Sequence, residues 1–260
     1  MKHLKSIWHN KLAPNSFCKL KQLKIQFCNE LSNVFPSFVL DKLQNLETVT
    51  VSDCPALELV FETQSLKPDG GRQTRLEMQL RTLTLKHLPM LKHIWSENSN
   101  KIFKFQNICQ LKVTECKNLN HVFTLSVATE LQHLQVLHIE ECGIEIIVAQ
   151  DEMADTNPKL IFPKLTSLSL RELTQLRSFY HASHTLDCPV LRDMDVFHCD
   201  KLLLFKSSVP IDTLPLLSIE KVQFTFQYSS HKRHLVVSSC YTQKTSFLCV
   251  LEHVLFSLKK

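Results

Sequence analysis

The chain has 260 residues, 44% apolar and 21% charged, so a large core can form and composition excludes intrinsic disorder. Its net charge of +5 is spread along the sequence without a dense run, which gives no basic stripe for nucleic acid. Glycine occurs three times, at Gly70, Gly71 and Gly143, so neither G-x-G-x-x-G, nor G-x-x-x-x-G-K-[ST], nor a G-x-S-x-G elbow can be written. Nucleotide binding and hydrolase chemistry lose their usual anchors, and no cofactor is expected.

The predicted elements follow from the 42 leucines. In chain order the first copy of a repeat is Phe17, Leu20, Leu23, Ile25, Cys28, Leu31, Val34, Phe35. The second is Leu43, Leu46, Val49, Val51, Cys54, Leu57, Val60, Phe61. The third runs Leu80, Leu83, Leu85, Leu88, Leu91, Ile94, Trp95, and the fourth Phe105, Ile108, Leu111, Val113, Cys116, Leu119, Val122, Phe123. The fifth is Leu131, Leu134, Leu137, Ile139, Cys142, Val148. The sixth is Phe162, Leu165, Leu168, Leu170, Leu173, Leu176, Phe179, and the seventh Leu191, Met194, Val196, Cys199, Leu202, Phe205. A faint eighth is Leu216, Ile219, Val222, Phe224. At the Cys or Leu slot the spacings are 26, 34, 28, 26, 31 and 26 residues.

Within each copy, L-x-L has period two and predicts a short strand with two inward side chains. One such strand cannot bury its face alone. Parallel stacking at about 4.8 Å per strand makes a continuous core, and the later L-x-x-V-F segment returns along the other side. The pattern is L-x-x-L-x-L-x-x-N/C-x-L, a leucine-rich repeat. The expected fold is an α/β solenoid, a horseshoe of about seven to eight irregular repeats with a concave face of parallel strands.

A longer period overlies this one. The third and sixth copies carry Leu88 and Leu173 where the others carry Cys. Trp8, Trp95 and Tyr180 are 87 and 85 residues apart, which predicts duplication of a block of three repeats. The string Leu4-Lys5-Ser6-Ile7-Trp8 matches Leu91-Lys92-His93-Ile94-Trp95, so the chain is expected to open in mid-repeat, as a fragment of a longer receptor or a truncated product. The solenoid is assigned to 1–222, with surface insertions at 62–79 and 151–158. From 223 to 260 the pattern fails. Phe247, Leu251, Leu255 and Leu258 form one helical stripe there, and the tail is either a cap or sequence that does not fold.

The strings Leu20-Lys-Gln-Leu23-Lys-Ile25-Gln-Phe-Cys28-Asn-Glu-Leu31, Phe162-Pro-Lys-Leu165-Thr-Ser-Leu168-Ser-Leu170 and Leu88-Pro-Met-Leu91-Lys-His-Ile94-Trp95 resemble plant intracellular disease-resistance receptors of the coiled-coil, nucleotide-binding, leucine-rich-repeat type. The resemblance covers roughly residues 1 to 222. It implies an effector-sensing or autoinhibitory repeat region with a role in defence. The implied partner is a protein: a pathogen effector, a guarded host protein, or the receptor's own nucleotide-binding module. The family's coiled coil and phosphate-loop module are not in this sequence, so nucleotide switching is not implied for it. A ubiquitin-ligase adaptor's substrate-recognition repeats are the alternative, and a non-functional truncated product is another. No F-box-like segment precedes these repeats.

Other chemistry finds little support. Met1 to Pro14 has no apolar signal region, no N-x-[ST] sequon occurs, and no apolar run approaches the roughly 20 residues of a membrane span. A cytoplasmic chain with reduced thiols is expected. Cys28, Cys54, Cys116, Cys142 and Cys199 share one slot and lack the C-x-x-C pairing of a metal site, so they read as core. The thirteen histidines come with no nucleophile elbow, and Glu140 and Glu141 are adjacent, which sends them to opposite faces of a strand. An enzyme is not expected.

The expected working surface is the set of residues flanking the inward pairs. Its candidates are Lys24, Phe27, Lys86, Lys112, Glu140, Arg171, Asp193, Asp195 and Phe197. Over the first four copies the flanking charges Lys24, Asp53, Lys86, Lys112 and Glu115 sum to +1. Over the last three, Glu140, Glu141, Arg171, Glu172, Asp193 and Asp195 sum to −4. Phe27 and Phe197 are expected to be exposed rings. The acidic end is the predicted dock for a basic patch.

Overall fold

The structure is a computed structural model that describes residues 3–8, 12–13, 16–62, 76–96, 103–150, 160–180 and 186–202, and the backbone of 223–226 and 234–240. The first copy of the repeat forms β1 (Gln22–Gln26), β2 (Asn33–Phe35) and helix α1 (Ser37–Leu40). The second forms β3 (Thr48–Ser52) and β4 (Leu59–Phe61). The third is entered through β5 (Leu76–Glu77) and forms β6 (Thr82–Lys86) and β7 (His93–Trp95). The fourth has β8 (Phe103–Lys104), β9 (Gln110–Thr114), β10 (Phe123–Thr124) and helix α2 (Leu125–Ala128). The fifth has β11 (Val136–Glu140) and β12 (Ile146–Ala149). The sixth has β13 (Leu160–Ile161), β14 (Ser167–Arg171) and β15 (Ser178–Tyr180), and the seventh β16 (Leu186–Asp187) and β17 (Asp193–Phe197). β18 (Gln223–Phe226) and β19 (His234–Cys240) follow.

The L-x-L strands stack as expected. β1, β3, β6, β9, β11, β14 and β17 pair in that order, all parallel and in register. Their inward residues Val49, Val51, Leu83, Leu85, Leu111, Val113, Leu137 and Ile139 have no solvent exposure. Each repeat leans on its neighbour because two apolar side chains per strand are too few to form a core alone. Beyond β17 the direction changes: β19 pairs antiparallel with β17, and β18 antiparallel with β19. The apolar stripe Phe247 to Leu258 and the segment 203–222 lie outside the described residues.

The chain forms a parallel β-solenoid with little helix. The expected α/β mixture is corrected here: among the described residues helix amounts to two four-residue turns. The return side of the coil is made of short strands instead. After Phe35 and Phe123 only seven residues precede Leu43 and Leu131, the start of the next L-x-x-L-x-L, which leaves room for a single turn of helix such as α1 or α2.

The three-repeat block is visible in the tertiary structure. On the return side β2, β4 and β7 form one parallel sheet, and β10, β12 and β15 another. Each sheet spans one block, copies one to three and four to six. β5–β8 bridges copies three and four, and β13–β16 bridges six and seven. Helices α1 and α2 stand at equivalent places, Ser37 and Leu125 being 88 residues apart. Beneath these strands lies an aromatic ladder. Phe35 stacks on Phe61 at 4.9 Å and Phe61 on Trp95 at 5.0 Å, with Trp8 next to Phe35 at 6.4 Å.

Gly143 marks a shortened repeat. In other copies the buried residue after the slot comes three positions on, as Leu57 after Cys54 and Leu119 after Cys116. The fifth copy places Ile144 only two positions after Cys142, and Ile144 is fully buried. The backbone is drawn inward, and the Gly143 N–H donates to the Cys116 carbonyl at 3.3 Å. A Cβ at Gly143 would stand 1.8 Å from the Lys117 carbonyl oxygen, a distance no side chain can occupy.

Two smaller expectations change. Of the insertion at 62–79, residues 63–75 lie outside the described residues, but Leu76–Glu77 is β5 and Met78 is buried at 1% exposure. The other insertion, 151–158, is also outside them. Phe17, read as the opening core position, is 45% exposed and meets Trp8 edge-on at 5.2 Å.

Candidate functional site

Because side chains alternate across a strand, every main-sheet strand sends its first, third and fifth residues away from the core. Parallel in-register pairing lines these up in three rows across the sheet. One row is Gln22, Thr48, Thr82, Gln110, Val136, Ser167 and Asp193. The middle row is Lys24, Thr50, Thr84, Lys112, His138, Ser169 and Asp195. The third is Gln26, Ser52, Lys86, Thr114, Glu140, Arg171 and Phe197. Apart from the buried Ser52, these side chains are not needed to fill the interior, so their identity is free to serve recognition.

A fourth row holds the expected flanking residues Phe27, Asp53, Glu115, Glu141 and Glu172, and its backbone conformation is what the sequence did not show. The residue just after each strand has positive φ: Phe27 56°, Asp53 55°, His87 52°, Glu115 56°, Glu141 50°, Glu172 53° and His198 49°. This left-handed turn ends the strand and aims the next residue, the Cys or Leu slot, into the core. The backbone N–H donates to the neighbouring strand's last carbonyl, as Asp53 to Lys86 at 3.1 Å and Glu172 to Phe197 at 2.8 Å. Left-handed geometry is normally read from glycine, and the chain uses none here. The available signal was the column itself, seven aligned residues before the slot, none β-branched.

The slot cysteines use their small size and weak donor. Each thiol turns back to the carbonyl two residues earlier, as Cys54 to Ser52 at 3.2 Å and Cys142 to Glu140 at 3.2 Å. Cys28, Cys54, Cys116 and Cys142 are buried. Cys199, expected with them, is only partly buried, because the apolar layer thins at the seventh copy, where Val196 is also partly exposed. Burial pushes the Cys54 and Cys199 thiols up to about 11. A hydrogen bond with the Cys142 thiol, and then burial, raises Cys116 well above the ordinary thiol range.

The candidate residues separate into two groups. Lys24, Lys86 and Lys112 are exposed, and among the described residues no carboxylate lies within ion-pair distance of them. The nearby acids are engaged elsewhere. The His87 ring lies between Asp53, at 2.9 Å from Nδ1, and Glu115, which meets Nε2. Hydrogen bonds from Ser52 and His87 hold the Asp53 carboxyl below its usual value. Phe27 is 63% exposed, as expected.

The acidic half is largely self-satisfied. Arg171 Nη1 lies 3.5 Å from Asp195 and its Nε 3.9 Å from Glu140. His138 reaches Glu140 at 3.3 Å, and His198 reaches Glu172 at 2.9 Å. Asp193 and Glu141 remain exposed. Phe197 is not the exposed ring that was expected. It is partly buried, with the Arg171 guanidinium 5.4 Å from its centroid and the His198 ring stacked at 3.9 Å. Cross-strand reach explains the difference, because Arg171 and Phe197 are register partners on β14 and β17.

Among the described residues no group of three or more His, Cys, Asp or Glu side chains is arranged to hold a metal, and no helix is long and apolar enough to cross a membrane. The fold defines a leucine-rich-repeat solenoid with one face of side chains released from the core. A family model of leucine-rich repeats, described as plant disease resistance protein RPS2-like, matches residues 1–143, more than half of the chain. The chain belongs to that family. No curated protein matches it. Past residue 143, β14 and β17 continue the same parallel register.

Proposed function

We propose that this chain is a protein-recognition repeat region of a plant disease-resistance receptor, a binding module rather than an enzyme, acting in the cytoplasm. In this reading the main sheet lines the concave side of a horseshoe of seven to eight repeats. The observation that carries it is the union of the family match over 1–143 with rows of outward side chains that the core does not use. Variation at such positions changes recognition without changing the fold. Its partner is a pathogen effector, a guarded host protein or the receptor's nucleotide-binding module.

Co-precipitation of the tagged chain with the intact receptor's nucleotide-binding module and with candidate effectors tests this. Replacing Thr84 and Ser169 by Trp should abolish capture while leaving the circular dichroism spectrum unchanged. Undiminished capture by that folded variant would remove the outward face from the working surface.

A further inference from the structure

The acidic end of the sheet carries the larger charge, yet its ion pairs are mostly internal. The lysine half carries less charge, but among the described residues none of its three ammonium groups is in an ion pair. We infer that the face of β1, β3, β6 and β9 binds an extended acidic polypeptide segment that also covers Phe27; this rests on the protein-recognition reading above.

The geometry follows from the register. Lys24 and Lys112 share the middle row three strands apart, so their Cα atoms are about 14 Å apart. Lys86 lies in the next row one strand from Lys112, about 8 Å away. Thr50 and Thr84 stand between Lys24 and Lys112 and form a low hydroxyl floor. A chain laid across the strands gains about 3.4 Å per residue, so carboxylates two and four residues apart match these spacings. Asp53 and Glu115 both turn to the His87 ring, although Asp53 also feels the Lys86 charge. Phe27, at the end of β1, gives the segment an apolar anchor near Lys24. A 63% exposed ring is a common centre of binding energy when a partner covers it.

A nucleic acid fits less well. Three lysines are few beside the six to ten phosphate contacts typical of such binding, and the charges flanking these four strands sum to only +1.

The probe is a fluorescein-labelled synthetic peptide alternating Glu and Ser around one Leu, read by anisotropy against the full chain. Binding should occur at low salt and weaken as salt screens it. Lys24, Lys86 and Lys112 changed together to Glu should weaken it about tenfold or more. The triple Gln variant serves the same purpose if the Glu variant does not fold. Phe27→Ala should weaken it a few fold, and Asp193→Lys should not weaken it. Equal affinity in the folded triple variant, equal binding of a Lys-for-Glu peptide, or tighter binding of a labelled RNA would each overturn the proposal. Loss of peptide binding with effector or receptor capture intact would sink this inference alone. Peptide binding without capture would instead sink the reading beneath it.

Discussion

The indole N–H of Trp95 donates to the backbone carbonyl of Val122 at 2.9 Å, one repeat onward. Trp8 makes the same bond to Val34 at 2.6 Å. Both tryptophans are buried and close a Leu-type repeat onto the Cys-type repeat that follows. The bond ties one block of three repeats to the next, where the return-side sheet is interrupted.

Trp95→Phe should therefore destabilise the fold by about 1–3 kcal/mol, since it leaves the Val122 carbonyl buried without its donor. Trp95→Ala should cost about 3–5 kcal/mol, by adding a cavity under Phe61 and Phe105. Denaturant unfolding measures both. A Phe variant as stable as the parent would deny the hydrogen bond its role at the block boundary.

Gly143→Ala is expected to cost at least 1–3 kcal/mol, roughly the range for overpacking, although alanine is a mild substitution elsewhere. The new methyl meets the Lys117 backbone, which cannot rotate away. Inserting a residue after Cys142, to restore the common three-residue spacing, should relieve part of the loss. Thermal unfolding of the two variants side by side checks this, and an unchanged Tm for Gly143→Ala would contradict the close approach.

The left-handed column predicts an order of stabilities at Glu141, whose φ is 50°. Asn and Gly tolerate that conformation, whereas Val is crowded there by about 1–2 kcal/mol. Glu141→Asn should match or exceed the parent in Tm and Glu141→Val should fall below it. The reverse order would mean that the turn is not left-handed in solution.

Thiol labelling at pH 8 should proceed at very different rates. Cys18 is exposed and should react first, with Cys109 and Cys199 slower and Cys54, Cys116 and Cys188 silent until denaturant is added. Cys54 is slowed twice, by burial and by a thiol raised to about 11 that leaves little thiolate. Mass spectrometry of timed alkylation identifies each site. Rapid labelling of Cys54 in the native protein would remove it from the core.

The sequence by itself determined the repeat, the parallel stacking, the inward pairs and the three-repeat period. Each of these is a periodicity of apolar residues, and burial enforces periodicity directly: Leu83 and Leu85 have no other face to turn to. It also made Lys24, Lys112 and Phe27 outward. Only the tertiary structure decided which outward groups are free. Arg171 is covered by Phe197 and paired with Asp195 through register contacts 24 to 26 residues away in sequence, and His87 takes up Asp53 and Glu115 from two different repeats. Such pairings depend on side chains meeting across strands, which one-dimensional spacing does not encode. The left-handed turns escaped for a related reason: neighbouring strands supply the carbonyls that stabilise them, so residues such as Glu141 and Glu172 occupy a conformation that their own preferences disfavour.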